Sequence, residues 1–134
     1  MNQKMNPVVH FEMPAEDKNR MRKFYETTFG WQTNQLGPEM GNYITVTTTE
    51  TDENRMVKKP GTINGGFFQK TNDPISQYPS IVIQVENLED SIKKVEAGGG
   101  KISGNIDTIP SVGKVVSIID TEGNRISLIE PVNN

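Results

Sequence analysis

A repeated plan of secondary structure is the feature that most constrains how this chain can fold. When the sequence is shifted by 70 residues, His10 falls on Ser80 and Gly30 falls on Gly100. Both halves then show the hydrophobic patterns of a strand, a helix and three more strands, in that order. Repeated units of this size are each too small to bury a core alone, so the sequence predicts two modules that fold together.

The two predicted modules span most of the 134 residues. The first covers about residues 7–69 and the second about residues 79–131, and together they predict a single domain over residues 1–134. Residues 70–79 contain two prolines and are typical of a connecting loop.

The first predicted strand alternates apolar and polar side chains along residues 7–13. Phe11 and Met13 point to one face of the strand, whereas His10 and Glu12 point to the other. The pattern predicts a strand that packs one face against a core and keeps a polar opposite face. His10 is the only histidine in the chain, and this strand places Glu12 beside it.

Both predicted helices begin at a capping residue and end at glycine. Asp17 is positioned to cap the first helix, and Gly30 supplies its stop. Asn87 is positioned to cap the second helix, and the run of glycines at 98–100 ends it. The predicted apolar stripes, which face the core, are Met21, Phe24 and Tyr25 in the first helix and Leu88, Ile92 and Val95 in the second.

The remaining strands are predicted from runs rich in β-branched and aromatic residues. They cover residues 31–36, 42–49, 65–70, 101–109, 114–121 and 124–131. Gly123 and Asn124 tolerate the positive φ of a tight hairpin between the last two strands. Gly65 and Gly66 indicate a close approach to a neighbouring strand, with a phosphate cradle as the alternative.

Composition excludes several classes of function. The 14 basic and 17 acidic residues give a net charge of −3 and form no basic stripe, so we expect no nucleic-acid partner. The chain has no cysteine, which excludes disulfides, thiolate nucleophiles and cysteine-ligated metals. The sequence has no apolar run typical of a signal peptide or membrane span, so we expect a cytoplasmic protein with no membrane partner.

Several segments together resemble a known superfamily. HFEMPAEDKNRMRKFYETTFGW, INGGFF and IPSVGKVVSIIDTEGNRISLIEP resemble the vicinal oxygen chelate superfamily, which contains glyoxalase I, bleomycin-resistance proteins and extradiol dioxygenases. The resemblance covers almost the whole chain. It implies an α+β fold in which two βαβββ modules form a curled mixed sheet around a cleft, with the helices packed outside.

The resemblance also bears on a metal site. In metal-using relatives the first strand of each module and the last strands hold a divalent ion, and His10 matches the first of these positions. Ser80 and Ser127 stand at two of the others, and serine hydroxyls are poor ligands because they stay protonated at neutral pH. We therefore expect no metal cofactor. The alternative is a divalent metal ion held by His10, Glu12 and Glu130, although the odd spacing from Ser127 should turn Glu130 to the opposite face.

Six residues form the candidate ligand-binding set: His10, Glu12, Trp31, Tyr43, Ser80 and Ser127. His10 and Glu12 are also candidates for a catalytic acid–base pair, but two polar residues on a half-solvated strand explain them as well. Trp31 and Tyr43 can either stack on a planar ligand or pack in the core.

The function implied by the resemblance is that of a glyoxalase-like or bleomycin-resistance-like protein that binds a small organic molecule in its cleft. The hypothesis is that it binds this molecule without a catalytic metal. The alternative is a divalent-metal-dependent lyase, isomerase or dioxygenase of the same superfamily that uses His10 and nearby carboxylates. Relatives of single-domain length commonly pair, so we expect a homodimer.

Overall fold

The computed structural model describes residues 4–132. Contacts divide the chain into two compact units. The first unit is His10–Pro79, and the second consists of the residues up to Val9 together with those from Ser80 onward. Each unit carries one helix against a mixed sheet, so the predicted α+β class and the repeated βαβββ order are confirmed.

The first unit is built on four strands and one helix. The strand order across its sheet is β2-β3-β4-β1, with β4 parallel to β1 and the other neighbours antiparallel. The elements are β1 (Val8–Ala15), α1 (Lys18–Phe29), β2 (Gln32–Gln35), β3 (Ile44–Thr47) and β4 (Asn64–Gln69).

The second unit repeats this arrangement. Its strand order is β5-β8-β7-β6, with β5 parallel to β8 and the other neighbours antiparallel. The elements are β5 (Ser80–Gln84), α2 (Leu88–Ala97), β6 (Lys101–Ile109), β7 (Gly113–Ile119) and β8 (Arg125–Pro131). A 3-10 turn at Pro74–Ser76 lies in the predicted connector.

Helix α1 begins and ends as predicted, but one residue of its stripe is misassigned. The Asp17 carboxylate accepts a hydrogen bond from the Arg20 N–H at 3.0 Å, and Gly30 ends the helix at φ 72°. Met21 and Tyr25 pack on the core of the first unit. The prediction was wrong for Phe24, whose side chain is 53% exposed. The ring lies at the flank of the helix and touches Tyr25 edge-on rather than entering the core.

The core of the first unit lies between α1 and one face of its sheet. Its fully enclosed members are Ala15, Ile44, Val46 and Phe67. All four lie on strands. The side chains that α1 adds to this core are only partly buried. The helix therefore covers one sheet face and leaves the polar face of β1 on the other side.

Helix α2 matches its prediction throughout. The Asn87 side chain accepts a hydrogen bond from the Asp90 N–H at 2.9 Å. Leu88 and Ile92 are buried and Val95 packs beside them, against a core that includes Val116, Ile118 and Leu128. Since the same three helix residues were predicted from their spacing, the amphipathic pattern of α2 was sufficient to orient it.

The hairpin between β7 and β8 is held by one side chain. The Asp120 carboxylate accepts hydrogen bonds from the N–H groups of Glu122 at 2.9 Å and of Asn124 at 2.8 Å. Gly123 takes a φ of 88°, as the sequence predicted for this turn. A hydrogen bond from the side-chain amide of Asn124 to Oδ2 of Asp120, at 2.9 Å, and then the backbone N–H groups of Asn124 and Glu122 hold the pKa of the Asp120 carboxyl below its usual value.

Within residues 4–132, none of the helices has the length and apolar character needed to cross a membrane.

Candidate functional site

The sheet of the first unit presents a polar face on the side away from α1. In the β1–β4 register, His10 lies beside Asn64 and Glu12 lies beside Gly66, and laterally paired residues project on the same side. Thr45 of β3 is paired with Gly66 and joins this side. We call the surface formed by His10, Glu12, Tyr43, Thr45 and Asn64 the His10 face. All five residues are half-buried.

A hydrogen bond across this face links the strands. The Tyr43 hydroxyl donates to Oε2 of Glu12 over a distance of 3.0 Å. Gly66 makes this contact possible, because a Cβ there would lie 2.5 Å from Cε1 of the Tyr43 ring and nearer still to its hydroxyl. The close approach predicted for Gly65 and Gly66 is thus confirmed, and a Cβ on Gly65 would collide with Phe11.

Asn64 has a structural task on the same face. Its side-chain oxygen accepts hydrogen bonds from the backbone N–H groups of Thr48 at 2.7 Å and Thr49 at 3.0 Å. These bonds hold the chain where it leaves β3. The loop therefore keeps a fixed position beside His10, which is paired with Asn64 in the sheet.

The electrostatics of His10 favour a neutral ring. Burial lowers the pKa of the imidazole from its ordinary value of 6.5, and the nearby charge of Glu12 partly opposes this by raising it. In the part of the chain that the structure describes, no hydrogen bond to either ring nitrogen is found. A neutral imidazole offers one donor and one acceptor, so His10 is suited to a ligand that complements both.

Trp31 is not brought together with His10, Glu12 and Tyr43. Its ring stacks on Tyr25 at a centroid distance of 4.7 Å and lies 5.6 Å from Phe11, whose side chain points to the α1 side of the sheet. This packing accounts for Trp31 as a core residue, which was one of its two sequence interpretations. A role in ligand binding stays a prediction for Trp31.

Ser80 and Ser127 belong to the second unit. Ser127 is 7% exposed and is paired with Ser117 on one side and Val82 on the other. The Ser80 hydroxyl is buried, and among residues 4–132 it finds no hydrogen-bond partner. Both serines lie on the sheet face opposite α2, because their neighbours Ile83 and Leu128 pack towards that helix.

The acidic residue considered for a rearranged metal site serves a different purpose. Oε1 of Glu130 accepts a hydrogen bond from the backbone N–H of Leu88 at 2.8 Å, at the N-terminus of α2. A carboxylate there is favoured by the partial positive charge of the helix end. The prediction that Glu130 points away from the face of Ser127 is confirmed.

The donors present do not fit a divalent ion. Within residues 4–132, no group of three His, Asp or Glu side chains is placed to hold a metal. Serine hydroxyls do not replace the missing imidazoles and carboxylates at neutral pH. Glu130 is engaged by the Leu88 N–H at the N-terminus of α2, which disfavours the set of His10, Glu12 and Glu130 as the ligands of a metal ion.

The sequence reasoning missed Arg125. This residue opens β8, is half-buried, and donates from Nη2 to the Ser117 hydroxyl at 3.3 Å. The alternation of β8 was available as a signal, because a residue two positions before Ser127 projects on the same face.

The fold and these polar sheet faces define a protein with two βαβββ units, each with a helix covering one side of its sheet. A family model described as bleomycin resistance protein-like N-terminal matches residues 8–49. A glyoxylase-like domain-containing protein from Didymella fabae is 32% identical over 116 residues, which cover 84% of each chain.

Two solved structures share the fold at low sequence identity. A methylmalonyl-CoA epimerase from Mycobacterium tuberculosis is 14% identical, with 94% of this chain and 88% of the other covered and a TM-score of 0.62. A glyoxalase/bleomycin resistance protein/dioxygenase superfamily member from Vibrio splendidus 12B01 is 12% identical, with 96% and 100% covered and a TM-score of 0.61. The chain belongs to this glyoxalase-like superfamily, the vicinal oxygen chelate proteins.

Proposed function

We propose that the chain binds a small organic molecule on the His10 face and does so without a catalytic metal. The observation that carries the proposal is the arrangement of Tyr43 over Gly66, where the hydroxyl donates to Glu12 at 3.0 Å beside the neutral ring of His10. Two strands and a glycine position these polar groups on the face that α1 does not cover. A core needs no such arrangement, whereas a ligand needs groups held in fixed positions.

The chemistry of the face indicates what kind of molecule fits it. His10 offers a donor and an acceptor, Glu12 offers carboxylate oxygens, and the ring of Tyr43 offers a flat apolar surface. A partly planar molecule with both hydrogen-bond donors and acceptors complements this set. Neither Lys nor Arg occurs in β1, β2, β3 or β4, so these strands bring no positive charge to the ligand.

The absence of a metal is part of the proposal and rests on donor chemistry. His10 is the one imidazole in the sequence, and Glu130 is engaged at the N-terminus of α2. A lyase, isomerase or dioxygenase that uses a divalent ion needs three or four such donors around one point. Metal analysis of protein purified without chelators tests this directly, and one tightly bound transition-metal ion per chain would contradict it.

Ligand binding is tested with three variants. Compounds that raise the melting temperature of the wild-type protein are titrated by calorimetry against His10→Ala, Tyr43→Phe and a matched control, Gln35→Ala. Gln35 is exposed and is paired with Ile44, so it lies on the other side of the same sheet. Loss of one hydrogen bond to a neutral group should weaken binding by about 0.5–1.5 kcal/mol.

The expected result is weaker binding to His10→Ala and unchanged binding to Gln35→Ala. A compound that binds all three variants as tightly as the wild type would show that the His10 face is not the binding site. Tight metal binding that is lost in His10→Ala would instead favour the metal-dependent enzyme of the same superfamily.

We further propose that the protein is a homodimer in the cytoplasm, with no nucleic-acid or membrane partner. The net charge of −3 argues against a nucleic-acid partner, and the absence of cysteine fits the reducing environment of the cytoplasm. Light scattering at micromolar concentration tests the homodimer, because a dimer has twice the 15.0 kDa mass of one chain. A particle of one chain mass would contradict it.

A further inference from the structure

We infer that Lys18 is a positioning residue for the His10 face, because its ammonium fixes the turn that precedes Tyr43. This turn joins β2 to β3, and we define the β2–β3 turn as residues 37–42. Lys18 is the first residue of α1 and is not part of the His10 face. Its role rests on the function proposed above, since it concerns how the ligand-binding groups of that face are held in place.

The β2–β3 turn ends in two consecutive residues with positive φ. Gly41 has a φ of 65° and Asn42 has a φ of 55°. Glycine adopts this left-handed conformation without steric cost, but it is less favourable for asparagine, which has a Cβ. Asn42 directly precedes Tyr43. The conformation of the turn therefore sets the direction in which the chain enters Tyr43.

The Lys18 ammonium contacts both of these left-handed residues. Its Nζ donates to the carbonyl oxygen of Asn42 at 2.9 Å and lies 3.5 Å from the carbonyl oxygen of Gly41. The Lys18 side chain is half-buried. A hydrogen bond from a charged donor is stronger than one between neutral groups. Lys18 therefore stabilises the end of the turn in a conformation that the backbone alone does not favour.

Helix stability does not explain a lysine at the start of α1. The N-terminus of a helix carries a partial positive charge that disfavours a nearby cation. The first turn of α1, all of which the structure describes, contains no acidic residue, whereas the first turn of α2 contains Glu89 and Asp90. The 70-residue shift aligns Lys18 with Leu88, which is fully buried. Lys18 thus departs from the repeat, and its contact with the turn accounts for it.

The backbone of Tyr43 is part of the same hydrogen-bonded turn. The Tyr43 N–H donates to the carbonyl oxygen of Met40 at 3.3 Å, and the Tyr43 carbonyl accepts from the Leu36 N–H at 2.8 Å. At the far end of the ring, the hydroxyl donates to Glu12 at 3.0 Å. Because the phenol ring is rigid, a change in the backbone at Tyr43 displaces this hydroxyl.

The ring of Tyr43 tolerates little displacement. It occupies the space that a side chain at residue 66 would fill, because a Cβ on Gly66 would lie 2.5 Å from Cε1 of the ring. Movement away from this place breaks the hydrogen bond to Glu12 and changes the groups offered beside His10. A turn that is already fixed reduces the conformational entropy lost when a ligand binds. Lys18 therefore acts on the ligand site through Tyr43.

The experiment is NMR of the full chain containing tyrosine labelled with ¹³C at the ring Cε positions. The chain has three tyrosines, and Tyr43→Phe identifies the signal of Tyr43. Lys18→Met removes the ammonium and keeps most of the side-chain length. The Tyr43 signal of this variant should move towards the chemical shift of free tyrosine, because the ring loses its fixed place over Gly66.

Three comparisons separate positioning from a general effect on folding. Lys23→Met removes an exposed lysine from the same helix and should leave the Tyr43 signal unchanged. Lys18→Arg restores a charged donor and should return the signal most of the way to its wild-type position. Lys18→Met should melt close to the wild-type temperature, because loss of a cation at the N-terminus favours the helix. The signal of Tyr25, which stacks on Trp31, verifies that each variant is folded.

Benzamide, a planar molecule with an amide donor and acceptor, probes the ligand site by calorimetry. Lys18→Met should bind it about threefold or more weakly than the wild type, and Lys23→Met should bind it equally well. A wild type that does not bind benzamide would count against the proposed function alone, since the NMR signal is measured without ligand. The role of Lys18 is overturned if the Tyr43 signal of folded Lys18→Met coincides with that of the wild type, or if Lys23→Met moves it equally.

Discussion

Gly66→Ala should destabilise the protein by displacing Tyr43. A Cβ at this position would lie 2.5 Å from Cε1 of the tyrosine ring, whereas ordinary contacts of a Cβ begin at 3.4 Å. The cheapest relief is for the ring to swing away, which forfeits the hydrogen bond to Glu12. A hydrogen bond to a charged group contributes about 1.5–3 kcal/mol. Replacing a strand glycine by alanine returns about 0.5–1 kcal/mol of backbone entropy, so the net loss should be about 1–2 kcal/mol.

Urea unfolding measures this loss, and a double-mutant cycle assigns its cause. In a Tyr43→Ala background the ring is gone, so Gly66→Ala should be neutral or slightly stabilising. Tyr43→Phe keeps the ring but removes the hydroxyl, and it should reproduce most of the destabilisation without crowding. The reasoning is refuted if Gly66→Ala is as stable as the wild type, or if it costs the same amount with and without the Tyr43 ring.

Three further predictions concern the helix ends and His10. Glu130→Gln should lower stability by about 0.5–1 kcal/mol because it removes a charge from the N-terminus of α2, whereas Glu122→Gln on the exposed hairpin should have no effect in the same urea assay. Asn87→Ala should cost about 1 kcal/mol through loss of the α2 cap, and an unchanged unfolding midpoint would contradict this. The pKa of His10 is lowered in the folded state, so the unfolded chain binds more protons than the folded chain as the pH falls below 6.5. The contribution of His10 to the free energy of unfolding is therefore fully present above pH 6.5 and should be lost as the pH falls through the pKa of His10 in the folded state. His10→Gln should remove this part of the pH dependence of unfolding, and an identical pH profile in the variant would contradict the assignment.

The fold was predictable because its local signals agree with one another. Asp17 and Asn87 both cap helices as the sequence indicated, and Gly30 takes the left-handed conformation that ends α1. The alternation along β1 correctly separated His10 and Glu12 from the core side. These features depend on neighbours along the chain, so a single sequence contains the information needed to predict them.

The positions that sequence reasoning missed depend on contacts distant along the chain. Phe24 has helical spacing suited to the core, yet it is exposed and contacts Tyr25 edge-on outside the core. Trp31 was as consistent with a ligand platform as with packing, and only its stacking on Tyr25 favours packing. The sequence pattern did not single out Arg125, because its hydrogen bond is to Ser117 on the neighbouring strand.

Glu12 and Glu130, the two carboxylates considered as metal ligands, show how far residue spacing alone can predict function. Strand parity already placed Glu130 on the opposite face from Ser127, and the structure adds the reason, since its carboxylate accepts the Leu88 N–H at the start of α2. Strand alternation could not decide the role of Glu12, because Glu12 lies on the same strand face as His10. The Tyr43 hydroxyl reaches Glu12 only because residue 66 lacks a side chain, so the role of this carboxylate depends on a residue 54 positions away in the sequence. A histidine beside an acidic residue on a strand is therefore weak evidence for metal binding until the contacts of the acidic residue are known.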